Sequence, residues 1–294
     1  MEGFKVTRKE FVEIAKSAFR KWLAHNASLR AAALAFFIIL PLPSLLLIIL
    51  AVLAQIYGQA AALQALIQQI ALIAGPAVAN LTQQVLESVK TPFTSVFASL
   101  TTVVFTVVGA IGAFGVLHDT MNDIWEVPQP KKPSLIERIK QKTGPFLLVS
   151  VLGFAIIIWT GITTVLLSLI TSALGPLSSS TVSAILRVAQ IGLSFALATL
   201  LFAVVYKQIP DVTIQWKDVS LAALITSFVF TVTNYLIGVV ISAFTITSVT
   251  GAAGSLMILL LWIFLLNEFI LYGAAFSKAY AEHSAVHPES DAEK

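Results

Sequence analysis

The 294-residue chain has no cysteine, only four histidines and only 11% charged residues. The missing cysteine excludes disulfides and thiolate metal sites. The shortage of charge has the larger consequence. A soluble domain carries about 25% charged residues, and a globule of this size still needs a solvated surface. With 57% apolar residues, hydrocarbon has to cover much of that surface instead. Other absences narrow the chemistry. There is no phosphate-cradling P-loop. His25, His118, His283 and His287 form no ligand-spaced cluster with acids at membrane depth, which metal-dependent hydrolysis requires. No catalytic residue, metal ligand or cofactor is expected, and the chain is not expected to be an enzyme. The basic residues show no aromatic-interleaved platform, so nucleic acid is not an expected partner despite a net charge of +3.

A helical span needs roughly 20 apolar residues to cross about 30 Å of hydrocarbon. Six segments qualify: 31–57, 93–118, 145–174, 182–206, 219–243 and 251–277. Gly175-Pro176 and the serines Ser178 to Ser180 separate the third from the fourth and read as a tight turn. Basic residues set the orientation. With the N-terminus inside, sixteen of the eighteen Lys and Arg fall on the cytoplasmic side, leaving Lys90 and Arg187 outside. That split requires an even number of spans. Both termini, including the tail 278–294, are expected in the cytoplasm, and no cleaved signal segment is expected before Ala31.

Residues 1–30 read as a cytoplasmic collar. Within it, Phe11, Ile14, Ala15, Ala18, Phe19 and Trp22 recur at helical spacing among Arg8, Lys9, Lys16, Arg20 and Lys21. A basic amphipathic helix of this kind lies in the headgroup plane, or packs on the protein's own loops. Residues 58–92 mix glutamines with aliphatic residues around Gly75-Pro76. They predict two short helices forming an outer cap or a re-entrant hairpin.

Several polar residues fall inside the expected spans. Glu268 is the sharpest, estimated at roughly 14 Å from the cytoplasmic end of the sixth span at 1.5 Å per residue. An acid there has to face the bundle interior, either as a substrate or proton site or as a protonated group bonded to a neighbouring helix. Asn267 adds a polar group beside it. Span five carries Ser220, Ser227 and Asn234 at spacing seven. Span two carries Ser95, Ser99, Thr102 and Thr106, then Gly109, Gly112 and Gly115. Such stripes are close-packing seams or a water-accessible path. Pro41 and Pro43 interrupt span one, as in a kinked packing helix or a broken binding helix. Arg187 either snorkels outward or contacts an anion. His118, Asp119, Asn122 and Asp123 cluster where span two leaves the membrane, as an interface anchor or a functional group. Trp159 and Trp262 read as packing residues.

Three stretches together resemble the YihY/virulence factor BrkB family of bacterial and archaeal inner-membrane proteins. They are Arg30-Ala-Ala-Ala-Leu-Ala-Phe-Phe; Leu117-His-Asp-Thr-Met-Asn-Asp-Ile-Trp125; and Tyr206-Lys-Gln-Ile-Pro210-Asp-Val through Trp216-Lys-Asp-Val, Gly251-Ala-Ala-Gly-Ser, Leu260-Leu-Trp262 and Tyr272-Gly-Ala-Ala-Phe276. The resemblance implies a multi-pass protein of the prokaryotic plasma membrane with an envelope role, and for some members movement of lipid or lipopolysaccharide precursors. It also implies the label ribonuclease BN, which the absent metal ligands oppose. The family commonly ends its last span with Gly-Ala-Glu. Here that acidic position is Ala275, and Glu268 lies two turns earlier.

The expected fold is therefore an all-α integral membrane protein. Its membrane domain, 31–277, is a six-transmembrane-helix bundle with an N-terminal amphipathic interfacial helix and a small outer helical cap. The expected function is a transporter or flippase-like protein for an amphipathic or lipid-linked substrate, without its own ATPase. A non-transporting scaffold for envelope or lipid assembly is the alternative, and a membrane ribonuclease the third reading. Membrane lipids are the expected partners, and a homo-oligomer is left open.

Overall fold

The computed structural model describes residues 7–74, 76–88, 96–128, 180–243 and 246–286. Among these the regular structure is helical throughout: α1 Arg8–Ala24, α2 Ala27–Ile39, α3 Leu42–Tyr57, α4 Gln59–Ala74, α5 Pro76–Ser88, α6 Val96–Ile124, α7 Ser180–Gln208, α8 Trp216–Ala243 and α9 Ile246–Val286. The expected third span, 145–174, with Trp159 lies outside the described residues, as do Lys90 and the tail from 287.

Local chemistry sets the helix ends. Thr7 opens α1 with a capping box: its backbone N–H donates to Glu10 Oε2 at 2.8 Å, and its hydroxyl accepts from the Glu10 N–H. After α1 the chain turns through Asn26, which sits in the left-handed region at φ 50°. Asn tolerates that region better than most residues, and α2 leaves at 66° to α1. Ile14 and Ala18 pack into the core beside Met121 and Ile124, while Phe11 and Phe19 remain exposed. The collar helix thus presents apolar surface both to the bundle and away from it.

The first expected span, 31–57, is two helices, α2 and α3, parted at Leu40-Pro41. Proline has no N–H to give to the Phe37 carbonyl and its ring crowds the preceding turn. The break is seated on α6. A Cβ on Gly109 would lie 2.5 Å from the Pro41 ring carbons and 2.9 Å from the Phe37 carbonyl oxygen, and one on Gly112 would overlap the Phe37 ring. The glycines of the span-two stripe are therefore what admits α2 so closely. The Pro43 side chain lies outside those described.

The two short helices expected within 58–92 are α4 and α5. Their tip is packed inside the molecule: Val78 at the start of α5, with Ile70 and Leu42, meets Ala35 of α2 and Leu259 and Ile263 of α9. Helices α7 and α8 form an antiparallel pair. Pro210 follows the end of α7, and the pair is joined by Phe202–Phe230 edge contact and a 2.8 Å Tyr206–Thr226 hydroxyl bond. A Cβ on Gly273 of α9 would overlap both hydroxyls of that bond.

At 41 residues, α9 is about 60 Å long and packs against α1, α2, α5 and α8. It continues well beyond 277, where the apolar segment ends. Leu29, Phe36, Ile111, Ile191, Phe228, Met257 and Leu261 are exposed, more apolar surface than a water-facing protein sustains. Among the described residues three helical stretches are long and apolar enough to cross a membrane, Ile191–Gln208, Trp216–Thr233 and Leu256–Ala285, or four if the bent α1–α2 pair counts as one.

Candidate functional site

Polar side chains gather in two places. The first is a rim joining the end of α6, the α7–α8 connection, the α1–α2 turn and the last turns of α9. His118 is almost fully buried there. Its Nε2 stands 3.2 Å from the Asp211 carboxylate and its Nδ1 3.3 Å from that of Asp119. Asn122, 1% exposed, donates from Nδ2 to Asp211 Oδ2 at 2.8 Å and accepts the Asp211 backbone N–H at 2.7 Å. Asp123 pairs with Arg30 at 2.6 Å. Lys278, itself buried, pairs with Glu126 at 2.8 Å, and Lys21 of the collar pairs with Glu282 at 2.9 Å.

Two groups on this rim have shifted titration. The Lys278 ammonium, hydrogen-bonded to Glu126, holds that carboxyl below the usual range. Burial, and then the Lys278 charge, push the His25 imidazole below its ordinary value, against smaller opposing effects from Asp123 and Glu126.

The second gathering lies along α8 and α9. Glu268 accepts a short hydrogen bond on Oε1 from Ser28, in the first turn of α2. Its other oxygen is buried without a partner among the described residues, as are Asn267 Nδ2 and Ser227 Oγ. Asn267 is 3% exposed and Ser227 0%. Four residues beyond Ile263, Asn267 lies one turn on and about 40° round the helix, so it follows the surface that receives the α5 tip. Burial of such groups without partners ordinarily costs free energy.

Of the residues expected to matter, His118, Asp119, Asn122 and Asp123 are in one place, joined there by Asp211. Glu268 and Asn267 are neighbours on α9, and Pro41 is the α2–α3 break. Ser28 sits two residues before Arg30, whose partner Asp123 is in the last turn of α6, so the Glu268 carboxylate stands closer to the charged rim than helix rise alone suggested. The side chains of Asn234 and Arg187 lie outside those described. Ser220 bonds the Trp216 carbonyl of its own helix, and Trp262 packs against Phe230 with ring centroids 6.5 Å apart. Asp211, Ser28 and Lys278 were not foreseen as site residues. Asp211 had a signal in the Ile209-Pro210-Asp211 stretch, whereas a serine in an apolar helix start carries none. Among the described residues no three His, Asp or Glu side chains are placed to hold a metal ion.

Helices of this length, an apolar exterior and polar groups held within define an all-helical integral membrane protein. The chain belongs to the virulence factor BrkB family, whose family model matches residues 18–294. It is also similar to a UPF0761 membrane protein of Teredinibacter turnerae (strain ATCC 39867 / T7901), 30% identical over 90 residues. That stretch is 31% of this chain and 21% of the relative, so the chain spans about a fifth of the relative it matches. No solved structure matches the chain.

Proposed function

We propose that the chain is a transporter or flippase-like protein for an amphipathic or lipid-linked substrate. In this reading it is a six-span bundle of the prokaryotic plasma membrane, with both termini in the cytoplasm and the α4–α5 pair re-entering the bundle from the outer side. One observation carries the proposal: three buried polar atoms, Glu268 Oε2, Asn267 Nδ2 and Ser227 Oγ, have no partner among the described residues. Burying such a group without a partner costs roughly 1–3 kcal/mol, and a polar substrate or water in the path would supply the missing partner. Interrupted helices support the same reading. Irregular backbone at membrane depth is tolerated where it is buried in protein or lines a cavity, and both the Pro41 break and the α5 start lie against the bundle interior. Without a P-loop, energy has to come from an ion gradient or another protein.

The scaffold reading is favoured by one feature, the ion pairs that tie the collar and α6 to the end of α9. The nuclease reading has no observation in its favour. Liposomes containing the purified full chain and a fluorescent phospholipid, with a quencher outside, separate the first two. A transporter accelerates leaflet exchange, and Glu268→Gln slows it at least tenfold. Exchange no faster than in empty liposomes, or unchanged by Glu268→Gln, overturns the transport reading. A scaffold instead tolerates Glu268→Gln in cells and fails when Lys278→Gln breaks the rim.

A further inference from the structure

A groove runs between the collar helix and α9, with a volume of about 530 Å³, within the roughly 300–1,000 Å³ of small-ligand sites. Its walls are apolar: Phe11, Val12, Ala15 and Phe19 from α1, and Tyr272 from α9. The Phe11–Phe276 ring contact, 5.8 Å between centroids, and the 3.2 Å bond from the Tyr272 hydroxyl to the Ala15 carbonyl hold the two helices together there. Lys16 and Arg20 stand on its edge. Both are exposed, and neither makes an ion pair among the described residues. They are one helical turn apart, where like charges repel, so a single anion between them would relieve that repulsion.

Leu261 lies eleven residues before Tyr272, within about 20° of the same face of α9 and roughly 16 Å along its axis. It is exposed, as is Met257 one turn further. Between Leu261 and Tyr272 this face is partly buried and carries Glu268 one turn before Tyr272, so the apolar walls for a bound chain are those of the groove itself. Two unpaired cations on the edge of an apolar-walled groove match a molecule with an anionic head and acyl chains.

We propose that this groove binds one anionic phospholipid from the leaflet against which the collar lies, its phosphate between Lys16 and Arg20 and its chains against the Phe11, Phe19 and Tyr272 walls. The site does not depend on transport. Basic pockets beside membrane helices bind lipid headgroups by the same charge complementarity. Here the apolar walls add selection for a lipid over a free anion.

The test uses the full chain purified in detergent and incubated with equal amounts of phosphatidylglycerol and phosphatidylcholine, with retained lipid counted by native mass spectrometry. Wild type is expected to retain one phosphatidylglycerol at least fivefold over phosphatidylcholine, a preference measured without any variant. Lys16→Gln with Arg20→Gln should remove that preference. Phe19→Ser should lower retention of both lipids, and Arg8→Gln, on the same helix but outside the groove, should change nothing. Equal retention of the two lipids by wild type overturns the proposal. So does an unchanged preference in the double variant, or an equal loss in Arg8→Gln, which would mark a diffuse charge effect.

Discussion

Asn122 and Asp211, 89 positions apart in the chain, exchange two hydrogen bonds at 2.8 and 2.7 Å, one to a side chain and one from a backbone amide. With His118 beside them, they fasten the α7–α8 connection to the end of α6. Asn122 uses its carbonyl oxygen and its amide at once, a pairing that neither Asp nor Leu reproduces.

Asn122→Ala should therefore lower stability by about 1–2 kcal/mol, since it leaves a backbone N–H and one oxygen of the partly solvated Asp211 carboxylate without their partner. Asn122→Asp should be as harmful, because it sets two carboxylates against each other. Thermal unfolding in detergent measures both. A double-mutant cycle with Asp211→Ala should give a coupling well above the few tenths expected of independent sites. Additive losses would show that the two residues act separately.

Three glycines make a paired test of close packing. Gly109→Ala and Gly112→Ala place a methyl group into the Pro41 ring and the Phe37 ring, and each should cost about 1–3 kcal/mol. Gly192, on α7, has nothing among the described residues within 4 Å of where its Cβ would stand. Gly192→Ala should be neutral or slightly stabilising, given the better helix propensity of alanine. The ranking of the three unfolding temperatures decides the point.

Asn267→Leu separates stability from function. Its amide nitrogen is buried without a partner among the described residues, so an apolar side chain of similar size should leave the fold as stable or more stable. If Asn267 serves the substrate path, the same variant should lose lipid movement in liposomes. A variant both more stable and fully active would remove Asn267 from the mechanism.

The His25 imidazole predicts a pH dependence whose sign follows from linkage. Its folded pKa lies below the ordinary value, so the unfolded chain binds the proton more readily. Its contribution is complete above about pH 6.5, the ordinary histidine value, and is lost as pH falls through the lower folded pKa. Glu126 adds a loss of the same sign at more acidic pH, since its pKa is depressed by Lys278. Unfolding temperatures between pH 7.5 and 5.5 should decline in wild type and decline less in His25→Asn. Equal slopes would assign the effect to other groups.

Much of the architecture is legible in one dimension because oil imposes a composition and helices impose a period. The charge deficit alone establishes the membrane. The 3.6-residue recurrence of Ile14, Ala18 and Trp22 marks the collar helix, and Pro41 marks the break in the first span. Gly75-Pro76 marks the division between α4 and α5. The glycine stripe on α6 was visible too, though not the partner that needed it.

What sequence could not supply is who meets whom. That Glu268 takes a bond from Ser28, that Lys278 reaches Glu126, and that Asp211 completes the His118 cluster are all contacts between residues distant in the chain. Local spacing carries no information about such pairs, because each depends on the rotation and height of whole helices. Those are set only when the bundle packs: glycines let α2 settle onto α6, and the tip of α5 comes to rest on α9. Composition and periodicity determined that this chain lives in a bilayer as helices. The tertiary structure alone decided which polar groups distant in the chain meet, because that depends on how whole helices pack.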